Sequence, residues 1–425
     1  MTKLLIKNAL IVDPVRNAEE QGDLLILDGL LAAVGGTIDA DAEILDATGL
    51  IAMPGLVDMH VHFRDPGQTH KEDLFSGAEA AAAGGVTAVA CMPNTTPPLD
   101  SPELVADVIA RAKQGGAKTR IHPVATITRG MKGTELSDYA ALKAAGAVAV
   151  SDDGRPVADA AVLLEGMRSA KQIGLPVISH CEDLAIIAGG IMHKGSVSDA
   201  LGVKGMDRAS EDSITAREIA LAAASGTSIH IAHVSTAGSA ALIRDAKARG
   251  VSVTAETCPH YFLLTQEELS RRDADYRMNP PLREESDRLA ILEALRDGVF
   301  DCITTDHAPH ASREKEDFLT APNGIVGLET SFAAALTGLY HTRILSLSTI
   351  VRLMSTNPAA ILGLPGGMWI TGAPADIALA DPNREWTVEP EKLHSRSTNT
   401  AFKGMRLKGR IVTTILGGQI VYRLS

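Results

Sequence analysis

The stretch Asp58-Met-His60-Val-His62-Phe-Arg64 sets two imidazoles two residues apart, with a carboxylate before them and a guanidinium after them. Alternate side chains of a β-strand share a face, so His60 and His62 point the same way and form half of a metal site. Further groups of suitable type are Asp152-Asp153, His180, His233 and Asp306 in Thr304-Thr305-Asp306-His307-Ala308-Pro309-His310. Each follows a short apolar run. Imidazole and carboxylate without thiolate suit zinc or a similar divalent ion in a hydrolytic site. Four histidines and at least two aspartates exceed the needs of one ion. Two ions about 3.5–4 Å apart are expected, able to activate a bridging water and polarise a carbonyl together. Asp306 is then the candidate to take the water's proton and pass it to a leaving nitrogen.

These groups need a scaffold that brings strand ends together. Apolar strand-like runs occur at about 55–62, 86–92, 120–127, 147–151, 175–180, 228–233, 251–256 and 301–305, with helical stretches such as 101–114, 156–173, 210–224 and 236–249 between them. Eight alternating units predict an α/β fold, a (β/α)8 barrel, and every candidate then lies at a strand's carboxyl end, where such barrels carry their active sites. An open doubly wound sheet is the alternative, but no Gly-x-Gly-x-x-Gly turn follows an early strand. Residues 3–52 and the segments around 375–380, 409–418 and 419–423 are β-like and rich in glycine turns. Neither end has enough strands to stand alone, which predicts one small β-sandwich domain built from both termini. The expected division is 1–54 and 366–425 for that domain and 55–365 for the barrel.

The composition agrees. Of 425 residues, 45% are hydrophobic and 22% charged, a globular mix, and the net charge of −12 disfavours nucleic acid and anionic membranes as partners. Cys91, Cys181, Cys258 and Cys302 show no paired spacing, so a reducing compartment is expected. Met1-Thr-Lys-Leu-Leu-Ile-Lys-Asn is too short in apolar residues for a signal segment, and Leu74 to Pro93 reads as helix, turn and strand rather than a membrane span. The expected location is the cytoplasm.

Pro54-Gly-Leu-Val-Asp-Met-His-Val-His-Phe-Arg-Asp-Pro-Gly67, Met92-Pro-Asn-Thr-Thr-Pro-Pro-Leu99, Ser151-Asp-Asp-Gly154 and Asp306-His-Ala-Pro-His310 together resemble the type I dihydroorotases of the amidohydrolase superfamily, over nearly the whole chain. The resemblance implies reversible cyclisation of N-carbamoyl-L-aspartate to L-dihydroorotate in pyrimidine synthesis, by a metal-bridging hydroxide. It implies two divalent ions, most simply zinc, with His60 and His62 on one, His180 and His233 on the other, Asp306 joining the ligands, and a bridging aspartate. By register the bridge is Asp153, with Asp152 the fallback. Related hydantoinases, dihydropyrimidinases and allantoinases use a carboxylated lysine there; strand four offers none, unless the strand is misplaced and Lys143 serves.

A carboxylate substrate calls for a bidentate guanidinium, which makes Arg64 the expected anchor. By resemblance His62, Asn94, Asn279 and His310 also touch substrate, as do Asn323 and Gly324, where the usual Pro-Phe-Gly reads Pro322-Asn323-Gly324. The segment 307–323 suits a mobile lid. Cys258-Pro-His260 is read as support or core. The alternatives are another cyclic-amide hydrolase, or a non-catalytic subunit of an aspartate carbamoyltransferase assembly; a homodimer and docking onto that enzyme stay open.

Overall fold

The protein is described by a computed structural model over residues 3–424; Met1 and Thr2, which open the amino-terminal stretch read above, and Ser425 lie outside it. The chain begins with five strands: β1 (Lys3–Asp13), β2 (Ala18–Leu27), β3 (Leu30–Val34), β4 (Glu43–Asp46) and β5 (Ile51–Pro54). Then come β6 (Leu56–Val61), β7 (Val86–Cys91), β8 (Arg120–Ala125), β9 (Ala149–Val150) and β10 (Ile178–Ser179). A short parallel pair, β11 (Met192–His193) and β12 (Gly205–Met206), precedes β13 (Ile229–Ile231), β14 (Val253–Thr257) and β15 (Cys302–Ile303). The last strands are β16 (Ile377–Thr387), β17 (Arg406–Leu416) and β18 (Gln419–Arg423).

All eight apolar runs become parallel strands. They pair as β6-β7-β8-β9 and β10-β13-β14-β15, and the bridges Val150↔Val177 and Val61↔His307 join the two sets into a closed barrel. Every residue of β6 and β7 is buried, as expected of parallel strands covered on both faces. The helices start where side chains can satisfy their free N–H groups: Ser101 Oγ caps Pro102–Gln114, the Asp159 carboxylate caps Ala160–Ile173, and Thr236 Oγ1 caps Ala237–Ala248. Leu74–Ala83, Gly84-Gly85 and β7 are the helix, turn and strand expected from Leu74 to Pro93. No helix among the described residues is long and apolar enough to cross a membrane.

The terminal strands share one sheet, ordered β18-β17-β16-β5-β1-β2-β3, with β4 added to β1. β5 joins the two ends of the chain, since Ala52 faces Ile11 on one side and Leu379 on the other. The sheet is continuous rather than two separate layers. It curls until β3 meets the stretch before β16, where Leu31 N–H donates to Ala373 O at 2.9 Å and Gly372 N–H to Leu31 O at 2.7 Å. The enclosed core holds Ile6, Leu24, Ile26, Ala52, Ile377 and Leu379. Arg120 of β8 grips Asp376 with two bonds of 3.1 and 2.9 Å and so ties barrel to sheet.

Candidate metal centre

β6 brings in Asp58 and His60, His62 follows directly past its end, and the chain turns off the ends of β9, β10, β13 and β15 to deliver Asp153, His180, His233 and Asp306. Asp153 sits in the middle. Its Oδ1 lies 3.4 Å from His60 Nε2, 3.5 Å from His180 Nδ1 and 3.7 Å from His233 Nε2, while Oδ2 lies 3.5 Å from His62 Nε2. Asp306 Oδ1 is 3.1 Å from His62 Nε2 and 3.8 Å from His60 Nε2. His180 Nδ1 and His233 Nε2 are 2.8 Å apart. Arg64, His233 and Asp306 all take left-handed backbone angles (φ 59°, 34° and 46°), unusual for residues with a side chain and found where surrounding structure forces it, commonly at functional sites.

The donor set fits a divalent ion. His60 Nε2 and Asp153 Oδ1 are buried and have no hydrogen-bond partner among the described residues. A tetrahedral ion with bonds of about 2.0–2.1 Å spaces its ligands about 3.3 Å apart, the scale seen between these atoms. Charge points the same way. Burial opposes it, yet Asp153 and Glu256 drive the His60 pKa well above its ordinary value, and His60 with its neighbours holds the Asp153 carboxyl well below the carboxylate range. A cluster that calls this strongly for positive charge matches what a divalent cation brings.

Asp152 is turned away from this centre. Its Oδ1 accepts the N–H groups of Ile127 and Thr128 at 2.8 and 3.1 Å, and Oδ2 accepts the Thr128 hydroxyl. Gly154, at φ 74°, supplies the left-handed turn that follows Asp153. Lys143 lies in the helix Tyr139–Ala144, its ammonium donating to Ile173 O near the surface, so it has no place at the centre.

A pocket of about 190 Å³ opens onto these atoms and is lined by His62, Arg64, Asn94, Asn279, His310, Asn323 and Gly324, among others. Arg64 Nε donates to Pro309 O at 3.2 Å, and its Nη2 lies 3.4 Å from His310 Nε2. Burial lowers Arg64 to about 10, still cationic at neutral pH, and burial with Arg64 and Lys71 nearby pushes His310 down to about 2, so its ring is neutral. Asn94 Oδ1 accepts from His62 Nδ1 at 2.8 Å, and its amide donates to Asp153. Asn279 spends its amide on Glu182 at 2.9 Å. Gly324 N–H donates to Arg277 O and Gly324 O accepts from Lys315, so its backbone polar groups are engaged within the chain. A side chain at Gly324 would strike Ala308 O at 2.6 Å.

The segment 307–323 differs from a loose lid. The Lys315 ammonium donates to Arg277 O, Pro322 O and Gly324 O at 3.2, 2.9 and 3.0 Å, and Phe318 packs into an apolar cluster with Tyr276 and Ile325. The segment is a pinned wall of the pocket. Cys258 and His260 are buried beside the centre, and burial lowers His260 to about 3.

Three carboxylates support the centre: Asp58, quoted in the sequence reading but given no role there, and Glu182 and Glu256, which that reading missed. Asp58 accepts His60 N–H and Thr305 N–H at 3.1 and 3.2 Å, tying β6 to the end of β15. Glu182 Oε2 lies 3.1 Å from His180 Nε2, and Glu256 Oε1 lies 2.7 Å from His60 Nδ1. The spacing of Asp58 from His60 and of Glu182 from His180, two residues each, could have drawn attention to the first two. Nothing local marks Glu256.

The Dihydro-orotase-like family model matches residues 49–239 and the Amidohydrolase family model residues 156–422. Over 423 residues and 99% of both chains, the sequence is 48% identical to a dihydroorotase of Citrifermentans bemidjiense and to one of Geobacter metallireducens. The chain belongs to the dihydroorotase family. Among solved structures, the L-hydantoinase of Arthrobacter aurescens superposes with a TM-score of 0.89 at 26% identity, covering 100% of this chain and 98% of that one. The dihydropyrimidinase of Brevibacillus agri gives 0.86 at 27%, covering 99% and 95%. The family places this chain among divalent-metal hydrolases of cyclic amides.

Proposed function

We propose that this chain interconverts N-carbamoyl-L-aspartate and L-dihydroorotate, with two divalent ions, most simply zinc, held by His60, His62, Asp153, His180, His233 and Asp306. The observation that carries this reading is Asp153, one oxygen facing three histidines and the other facing the fourth, in a pocket that Arg64 and His310 also line. When bound, the ions supply Lewis acidity to water and to the ring carbonyl. The chain's own residues do the rest. Arg64, fixed by Pro309 O, grips the substrate carboxylate. Asn94 holds His62 and Asp153 in register. Asp306 takes the proton of the attacking water and delivers it to the ring nitrogen as the C–N bond breaks; in cyclisation the same carboxyl returns it. Four free, buried cysteines support action in a reducing cytoplasm.

Hydantoinase chemistry is the competing reading suggested by the solved structures. An aspartate stands where those relatives were expected to carry lysine, and Lys143 is elsewhere. The deciding experiment is ring opening by zinc-loaded protein, followed by loss of ultraviolet absorbance, on L-dihydroorotate beside hydantoin and allantoin. Turnover of dihydroorotate alone is expected; preference for hydantoin would overturn the assignment.

A further inference from the structure

His60 is a demanding ligand to position. It is completely buried, and its two ring nitrogens face different groups: Nε2 faces Asp153 and Asp306, and Nδ1 faces Glu256 Oε1 at 2.7 Å. A neutral imidazole carries one proton. If it sits on Nδ1, shared with a carboxylate, Nε2 must present its lone pair to the centre.

Glu256 is itself held from three sides. Oε1 also accepts the backbone N–H of His233 at 3.3 Å, and Oε2 lies 3.2 Å from His230 Nε2. His230 Nδ1 lies 2.8 Å from the hydroxyl of Thr254, its partner across β13 and β14. One set of proton positions satisfies the whole chain. Thr254 donates to His230 Nδ1, His230 Nε2–H donates to Glu256 Oε2, and His60 Nδ1–H donates to Glu256 Oε1. Thr254 and His230 also line a cavity of about 360 Å³. A wholly buried carboxylate between two imidazoles is expensive to desolvate, and filling space would be served as well by an apolar residue.

We infer that Glu256 is a positioning residue for metal binding, fixing the tautomer and ring plane of His60, and that His230 orients Glu256 for that task. The inference rests on the proposed role of His60 as a ligand. It adds two residues, from β13 and β14, that touch no substrate and act through His60.

The test uses E256L, H230L and H230Q in the full chain, with zinc affinity measured by chelator competition and the visible absorption of cobalt-loaded protein as a second readout. Leucine fills similar space and can accept from neither ring, so E256L leaves His60 Nδ1 without the acceptor that fixes its tautomer. Glutamine would be too conservative, since its oxygen could stay on His60 while its amide donates to a His230 that turns its own proton to Thr254. Zinc affinity of E256L should fall roughly 10–100-fold, the usual effect of losing the partner of a ligating histidine, and the cobalt band should shift. H230L should fall in the same direction by less, and H230Q, whose amide can still donate to Oε2, should recover affinity. The melting temperature of the metal-free protein separates this from loss of packing. Parental zinc affinity and cobalt spectrum in E256L, or a lower metal-free melting temperature with affinity unmoved, would overturn the inference. A parent protein that binds no zinc would instead overturn the metal reading beneath it.

Discussion

Replacing Arg64 by lysine keeps a cation at the carboxylate pole and removes the planar fork. The backbone is a fair control, because Arg64 sits at φ 59° and any residue with a Cβ meets the same left-handed constraint. Arg64 Nε is committed to Pro309 O at 3.2 Å, which leaves the terminal nitrogens to meet a carboxylate. An ammonium offers one well-directed donor in that position, so one charge-assisted hydrogen bond is lost, worth about 1.5–3 kcal/mol. That corresponds to roughly a 10–160-fold loss in kcat/KM. Burial already lowers Arg64 to about 10; a lysine starts lower and ends nearer neutrality, which pushes the effect toward the upper end. Steady-state kinetics at saturating zinc should compare L-dihydroorotate with its neutral carboxamide analogue. The loss should be confined to the carboxylate substrate, with metal content unchanged. Equal losses on both compounds would show that Arg64 shapes the pocket without anchoring the carboxylate.

Asp306→Asn should retain the fold and His180, His233 and Asp153 as ligands, yet lose turnover by roughly 10²–10⁴-fold in both directions, since an amide cannot carry the proton; elemental analysis and assays of opening and closure check this. Asp153→Asn should bind metal poorly, whereas Asp152→Asn should keep its metal and show only a modest fall in melting temperature, because an asparagine oxygen can still accept from Ile127 and Thr128. Burial pushes Lys315 down to about 7 even though three carbonyls accept from it. Its folded pKa thus lies below the unfolded value of about 10.4, so the unfolded chain binds the extra proton between these limits and stability gains from this group as pH rises from about 7 to about 10. Denaturation midpoints at pH 7 and pH 9.5 should rise less in Lys315→Met than in the parent. An identical pH dependence would mean that Lys315 titrates normally. Chelation of the metal should abolish activity and lower the melting temperature, both restored by zinc.

Much of the centre was legible because its signals are local. The alternation that puts His60 and His62 on one face is a property of any strand, and the apolar runs ending at His180, His233 and Asp306 announce where strands stop. The alternation of eight strands with helices then favours closure over an open sheet, and closure collects the strand ends at one face. That the terminal β pieces come together was legible because each is too small alone, though the expectation was a sandwich and the strands form one curled sheet. The family motifs favoured Asp153 over Asp152 by register, with Asp152 kept as the fallback.

What only the tertiary structure decided depends on contacts between distant parts of the chain. Asp152 and Asp153 are adjacent and chemically identical; the free N–H groups of Ile127 and Thr128 claim the first and leave the second for the histidines. The segment 307–323 reads as a mobile lid from its charge and length, but burial of Phe318 and the carbonyls around Lys315 pin it. Glu256 lies 196 residues from His60, and in sequence it is one more acid at the end of a strand. Periodicity fixes which way a side chain points, but only the closed barrel, by bringing β6, β13 and β14 within hydrogen-bonding reach, fixes what it meets.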